Sequence, residues 1–245
     1  MTAQHAPGHP AAAGLTRADY DALNQTLRYA MYSVFRLTGP LPADAVAREH
    51  LVAQTLSSVQ DDGLEVRGWY DLAGFTAEAD LLVWWHADTV PQVQGAYHRL
   101  RASDLGRSLE PVWSVVGLHR PSEFNREHVP SFLAGAPALE YVCVYPFVRS
   151  YDWYVLDPAE RATMLRDHGV VAAPYTDLLP NTVATFGLSD YEWVLAFEAE
   201  QPHRVVDLIR DLRNTRAREH VRLEVPFWFG QRVELGQWAD RQPLD

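Results

Sequence analysis

Apolar positions along the 245 residues recur with a period of two in some stretches and between three and four in others. The order of those changes predicts the fold. Leu27, Tyr29, Met31, Phe35 and Leu37 fall among more polar neighbours as one face of a first strand. Pro40 and Pro42 end it, and residues 43–59 read as a helix with Val46, Leu51, Val52 and Leu56 as core contacts. Strands follow at 64–70 and 81–86; the second, LLVWWH, is apolar on both faces, as a central strand is. Val90, Val93, Tyr97 and Leu100 then lie along one stripe of a helix, and 111–118 is another strand.

The second half repeats this order. Tyr141, Cys143, Tyr145, Phe147 and Arg149 share one face of a strand that Pro146 interrupts as a ladder donor. Asp157, Pro158 and Glu160 have the spacing of a helix start, and Arg161, Met164, Leu165 and His168 fall on one face of that helix. Gly169 reads as its stop. Strands are predicted at 182–188 and 191–199, a helix at about 203–218 and a closing strand at 225–233. Two successive β-α-β-β-α-β units make an α+β fold of two tandem ferredoxin-like halves, 15–136 and 137–245, with the seam near Gly135–Pro137. Residues 1–14, rich in Ala, Pro, His and Gly, read as a disordered tail.

Composition narrows the function classes. With 47% hydrophobic residues the chain has enough apolar surface for a sizeable core. A net charge of 21 − 32 = −11 argues against nucleic-acid binding and supplies no polybasic membrane anchor. No apolar run approaches the length of a membrane span. The single cysteine, Cys143, excludes intrachain disulfides and thiolate clusters, as expected of a cytoplasmic protein. Every one of the 21 cations is an arginine, the residue suited to forked carboxylate recognition. No HExxH or CxxC pattern points to zinc.

The candidate chemistry lies between His128 and Arg222, and the residues alone leave alternatives open. His168 shares a face with Met164 and Leu165, so it is either an imidazole presented to an apolar cavity or a cation at a helix C-terminus. Tyr145 is a candidate reactive phenol or a packed strand tyrosine. Arg149 lies roughly 13 Å along the same strand face, as a carboxylate clamp or a solvated strand end. His128 is a candidate general base or a surface histidine. Arg213, Arg216, Arg218 and Arg222 form a basic cluster that suits a polyanionic ligand or caps a helix end. Trp153 is a packing residue at the ligand or in the core. His5 and His9 fall in the tail and carry little weight as ligands.

YPFVRS, the following WY and the run RATMLRDHG, with EFNREHVPSFL upstream, resemble the haem-binding core of the chlorite dismutase superfamily, and within it the coproheme decarboxylase branch with a distal histidine. The resemblance extends over most of the chain beyond residue 15. It implies a dimeric α+β barrel built from the two halves, His168 as proximal iron ligand and His128 as distal base. It also implies Tyr145 as the catalytic radical, Arg149, Arg218 and then Arg222 as carboxylate partners, and Trp153 beside a propionate. The implied reaction uses hydrogen peroxide to oxidise two propionates of iron-coproporphyrin III (coproheme) to vinyls, giving haem b. A homopentamer is implied, and transient contact with a coproporphyrin ferrochelatase is plausible. Chlorite dismutases of this superfamily are expected to carry an arginine downstream of the proximal histidine. None occurs between His168 and Arg204, which disfavours that activity. The other readings are a haem peroxidase, a haem-binding carrier or regulator without turnover and, more weakly, a non-haem barrel of the antibiotic-monooxygenase type.

Overall fold

The computed structural model describes residues 14–245; the expected tail, with His5 and His9, lies outside them apart from Gly14. In chain order the elements begin with α1 (Arg17–Gln25), β1 (Tyr29–Leu37), α2 (Ala45–Val59), β2 (Glu65–Asp71) and β3 (Leu81–Ala87). They continue with α3 (Val90–Ala102), α4 (Asp104–Arg107), β4 (Leu109–Leu118), β5 (Tyr141–Arg149) and α5 (Pro158–Ala172). The last are β6 (Leu179–Ala184), β7 (Trp193–Ala199), α6 (Pro202–Leu212), β8 (Val221–Leu223), β9 (Trp228–Val233) and α7 (Leu235–Asp240).

Contacts group these into two units, one of Leu27–Leu118 with Trp228–Asp245, the other of residues 14–26 with His119–Phe227. The sequence expectation placed the seam at 136/137; the contacts place it at 118/119 and return the last strand to the first unit. In the first unit the antiparallel order is β4-β1-β3-β2-β9. In the second it is β6-β7-β5-β8. Leaving β9 aside, both read fourth-first-third-second in their own strand numbering, the order of a ferredoxin-like unit.

All seven residues of β3 are buried, as its unbroken apolar run requires. Trp85, Phe35, Leu81, Leu100 and Trp238 pack with their neighbours into the main core of that unit. Its helices start where local chemistry provides for their free N–H groups: Asp44 accepts from the Ala47 N–H at 2.8 Å, and Thr89 and Gln92 form a reciprocal capping box.

Three expected boundaries shift. The strand expected at 182–188 is β6, ending at Ala184, because Gly187 at φ +74° turns the chain there. The last long helix stops at Leu212 rather than 218; the Thr215 hydroxyl donates to the Leu212 carbonyl at 2.8 Å, and a 3-10 turn covers Arg216–His220. Gly169 does not stop α5, which runs on to Ala172. The helix α1, capped by Thr16 and Asp19, was not expected at all.

His86 on β3 is 4% exposed and accepts a 2.9 Å hydrogen bond at Nδ1 from Arg28 Nε. Burial first, then the charges of Arg28 and Arg67, lower its pKa to about 3. The folded state therefore holds the neutral ring while the unfolded chain protonates near 6.5. Stability from this group is complete above that pH and falls as pH drops toward 3, by up to about 1.4 kcal/mol per unit. Urea unfolding of His86→Gln should lose one proton's worth of that slope; an unchanged slope would contradict the assignment.

Candidate functional site

Within the second unit, β5, β7, α5 and the turn after α6 enclose a cleft of about 90 Å³. Strand periodicity supplies the first wall: Tyr145, Phe147 and Arg149 line it together from β5, with Leu195 and Phe197 from β7. In the antiparallel register Tyr145 lies opposite Leu195, and Arg149 pairs with Val221 of β8. Helix α5 brings His168. Its N-cap Asp157 accepts from the Ala159 N–H at 2.8 Å, and Arg161 and Met164 on the same face are buried. Arg161 also anchors the upstream segment, donating to Glu123 at 2.5 Å.

The low-polarity wall sets the protonation of what it contains. The Tyr145 ring is 5% exposed and stacks on Phe227 at 4.5 Å between centroids. Burial, with the nearby Cys143 and Glu224, raises its pKa well above 10, against a smaller lowering by Arg213 and Arg218. The phenol keeps its proton. His168 is pushed the other way, to about 4, by burial and then by the charges of Arg149 and His128. Its ring is neutral at physiological pH, with a buried Nδ1 that has no hydrogen-bond partner. A neutral imidazole at the wall of a half-enclosed cleft is a donor suited to a transition metal ion.

Arg149 is held from behind. Its guanidinium lies 4.2 Å over the Trp153 ring and 5.0 Å over Phe147, and its backbone N–H donates to Glu192 at 2.8 Å. Trp153 in turn packs on His220 at 5.3 Å, and the His220 Nδ1 meets the Ser150 hydroxyl at 2.9 Å. Burial lowers the Arg149 pKa from its usual value, a cost that the aromatic faces offset in part.

The four clustered arginines separate. Arg213, at the C-cap of α6, and Arg218, in the following turn, both reach the cleft and both pair with the same oxygen of Glu224. Arg216 turns to Glu160, and Arg222 lies over Tyr151 and donates to its hydroxyl at 2.8 Å. So Tyr145, Arg149, His168 and Arg218 share one wall, Trp153 supports Arg149, and Arg222 faces elsewhere. His128 has an exposed side chain on the 119–134 segment, and the protein atoms around its ring lower its pKa by desolvation. Its charge bears on His168 and on the buried His119. The segment is fastened by Asn24, which donates to the Arg126 carbonyl at 2.7 Å and meets His119 Nε2 at 3.1 Å. Sequence reasoning missed Glu224, Glu192 and Asn24: each is a lone polar residue in no recognisable spacing.

Comparison with known proteins adds a family and relatives. The family model described as chlorite dismutase matches residues 46–233. Over 231 residues the chain is 51% identical to the coproheme decarboxylase of Mycolicibacterium smegmatis, spanning 94% of this chain and all of that one. It is 26% identical to the coproheme decarboxylase of Staphylococcus carnosus over 183 residues, 67% of this chain and 72% of that one. A variant chlorite dismutase from Candidatus Nitrospira defluvii superposes with a TM-score of 0.79 at 22% identity, covering 91% of this chain and 98% of the other. At that identity the superposition speaks for the fold alone.

A histidine depressed partly by an arginine should respond to its removal. In an NMR titration His168 is expected to titrate near 4, and Arg149→Gln should raise that value. No change on losing Arg149 would contradict the electrostatic coupling.

Proposed function

This chain belongs to the chlorite dismutase family, and we propose that it removes two propionate carboxyls from coproheme with hydrogen peroxide as oxidant, leaving haem b. The reading rests on the convergence, in one cleft, of a neutral imidazole, a phenol that keeps its proton and a set of arginines. That donor set suits a ferric porphyrin carrying carboxylates: a neutral imidazole at the cleft wall for the metal, and guanidinium forks for the anions.

The chemistry balances residue by residue. Each propionate becomes a vinyl and CO2 by losing two electrons and a proton, and one peroxide takes up two electrons and two protons to give two waters. The substrate's own iron supplies the redox step with peroxide. His168 holds that iron as a neutral ligand. His128, exposed on the 119–134 segment and close enough for its charge to act on His168, takes the proton that peroxide sheds on binding. Tyr145 would give up a hydrogen atom from Oη and recover one from the ring-bound methylene carbon of the propionate, beta to its carboxylate; the second electron would pass to the substrate's peroxide-oxidised iron as the carboxylate leaves as CO2 and the vinyl double bond forms. A phenol whose pKa is raised suits that role, because its proton and electron leave together rather than the proton alone. Arg149 and Arg218 fix the carboxylates so that the reacting one lies at Tyr145, with Arg149 stiffened by Trp153.

The same proposal includes the family's homopentamer, closure of the two halves as a barrel, a cytoplasmic location and delivery of coproheme by a ferrochelatase. Among the described residues no helix is long and apolar enough to cross a membrane.

Tyr145→Phe separates an enzyme from a carrier or a simple peroxidase. Coproheme affinity, read by absorbance titration, should stay within about threefold, while CO2 release falls by roughly a hundredfold or more. Full turnover in the variant would overturn the role given to Tyr145. His168→Ala should instead weaken coproheme binding and change the iron absorption spectrum.

A further inference from the structure

The cleft contains a carboxylate that the reaction does not use. Glu224 follows β8, is 14% exposed, and offers one oxygen to both Arg213 and Arg218. These three side chains line the cleft with Tyr145, and the charges of all three act on the Tyr145 phenol. The anion that the two arginines hold is therefore the one beside the reactive ring. The arrangement is what a substrate carboxylate would make there: a carboxylate between two guanidinium groups, partly withdrawn from water.

We infer that Glu224 is a specificity-determining residue: it stands in for the reacting propionate, holding Arg213 and Arg218 until that propionate displaces it. When the propionate has become a vinyl group, the arginines lose their external anion and Glu224 pairs with them again. The inference rests on the coproheme reading and deepens it. It accounts for how a binding site built for a tetra-anion releases a di-anion: the apolar vinyl cannot compete for the two cations, and the internal carboxylate can. It also explains why an acidic residue lies in a cleft whose other charged groups are arginines, at a cost to the binding of any anionic ligand. Arg149 makes no direct pair with Glu224: its guanidinium rests on aromatic faces and feels the Glu224 charge only from across the cleft.

The test is equilibrium binding of ferric coproheme and ferric haem b to the full-length protein, without peroxide, followed by absorbance. Glu224→Gln removes the competing charge and keeps the side-chain shape. It should tighten coproheme binding by roughly tenfold and leave haem b within about threefold, so that the preference for substrate over product rises. Arg213→Gln should move coproheme affinity the opposite way, again with little effect on haem b. Coproheme binding that is unchanged or weaker in Glu224→Gln would overturn the inference, because Glu224 would then be a fixed support for the arginines. Equal tightening of both ligands would overturn it too, since no selectivity would follow. If Glu224→Gln does not fold, Glu224→Asp asks the same question: its shorter arm loosens the hold on both arginines, so coproheme should bind more tightly, and unchanged binding overturns the inference. Wild-type protein that binds coproheme but releases no CO2 with peroxide would count against the decarboxylase reading and leave this comparison decisive for Glu224.

Discussion

Removal of water from one cleft governs the rest of this site. The same low-polarity surroundings push a tyrosine and a histidine in opposite directions, each toward its neutral form, leaving the phenol protonated and the imidazole bare. Cations do not tolerate such a place unaided. Arg149 therefore lies against the Trp153 and Phe147 rings, and Arg213 and Arg218 share Glu224. What looks like a set of separate functional residues is one electrostatic balance between a cost of burial and the groups that offset it.

The fold supplies this balance through two simple periodicities. Alternation along β5 puts Tyr145, Phe147 and Arg149 on the cleft side, and the helical repeat of α5 brings His168 to the same wall while Arg161 and Met164 bury the helix. The turn after α6 then folds two arginines inward and leaves two outward. Tyr145, Arg149 and His168 thus stand on regular elements, and Arg213 and Arg218 on the helix cap and the turn that follows it.

Much of this was legible in the chain, for stated reasons. The β5 face and the α5 stripe follow from spacing alone, because period two and period 3.6 survive whatever packs against them. The repeated β-α-β-β-α-β order was legible on the same ground. The seam was not: that β9 returns to β2 is a long-range pairing with no local signal. Nor could spacing separate Arg218 from Arg222, since a short 3-10 turn decides which way each points. Glu224 was invisible because its meaning lies in two arginines, six and eleven residues away, that fold back onto it.

The central claim is that this cleft oxidises propionates rather than merely binding a porphyrin. Protein loaded with ferric coproheme and titrated with hydrogen peroxide, with the porphyrin followed by mass spectrometry, tests it most directly. The account predicts two successive losses, each of CO2 and two hydrogens, ending at haem b. Bleaching of a bound porphyrin whose side chains stay intact would contradict it.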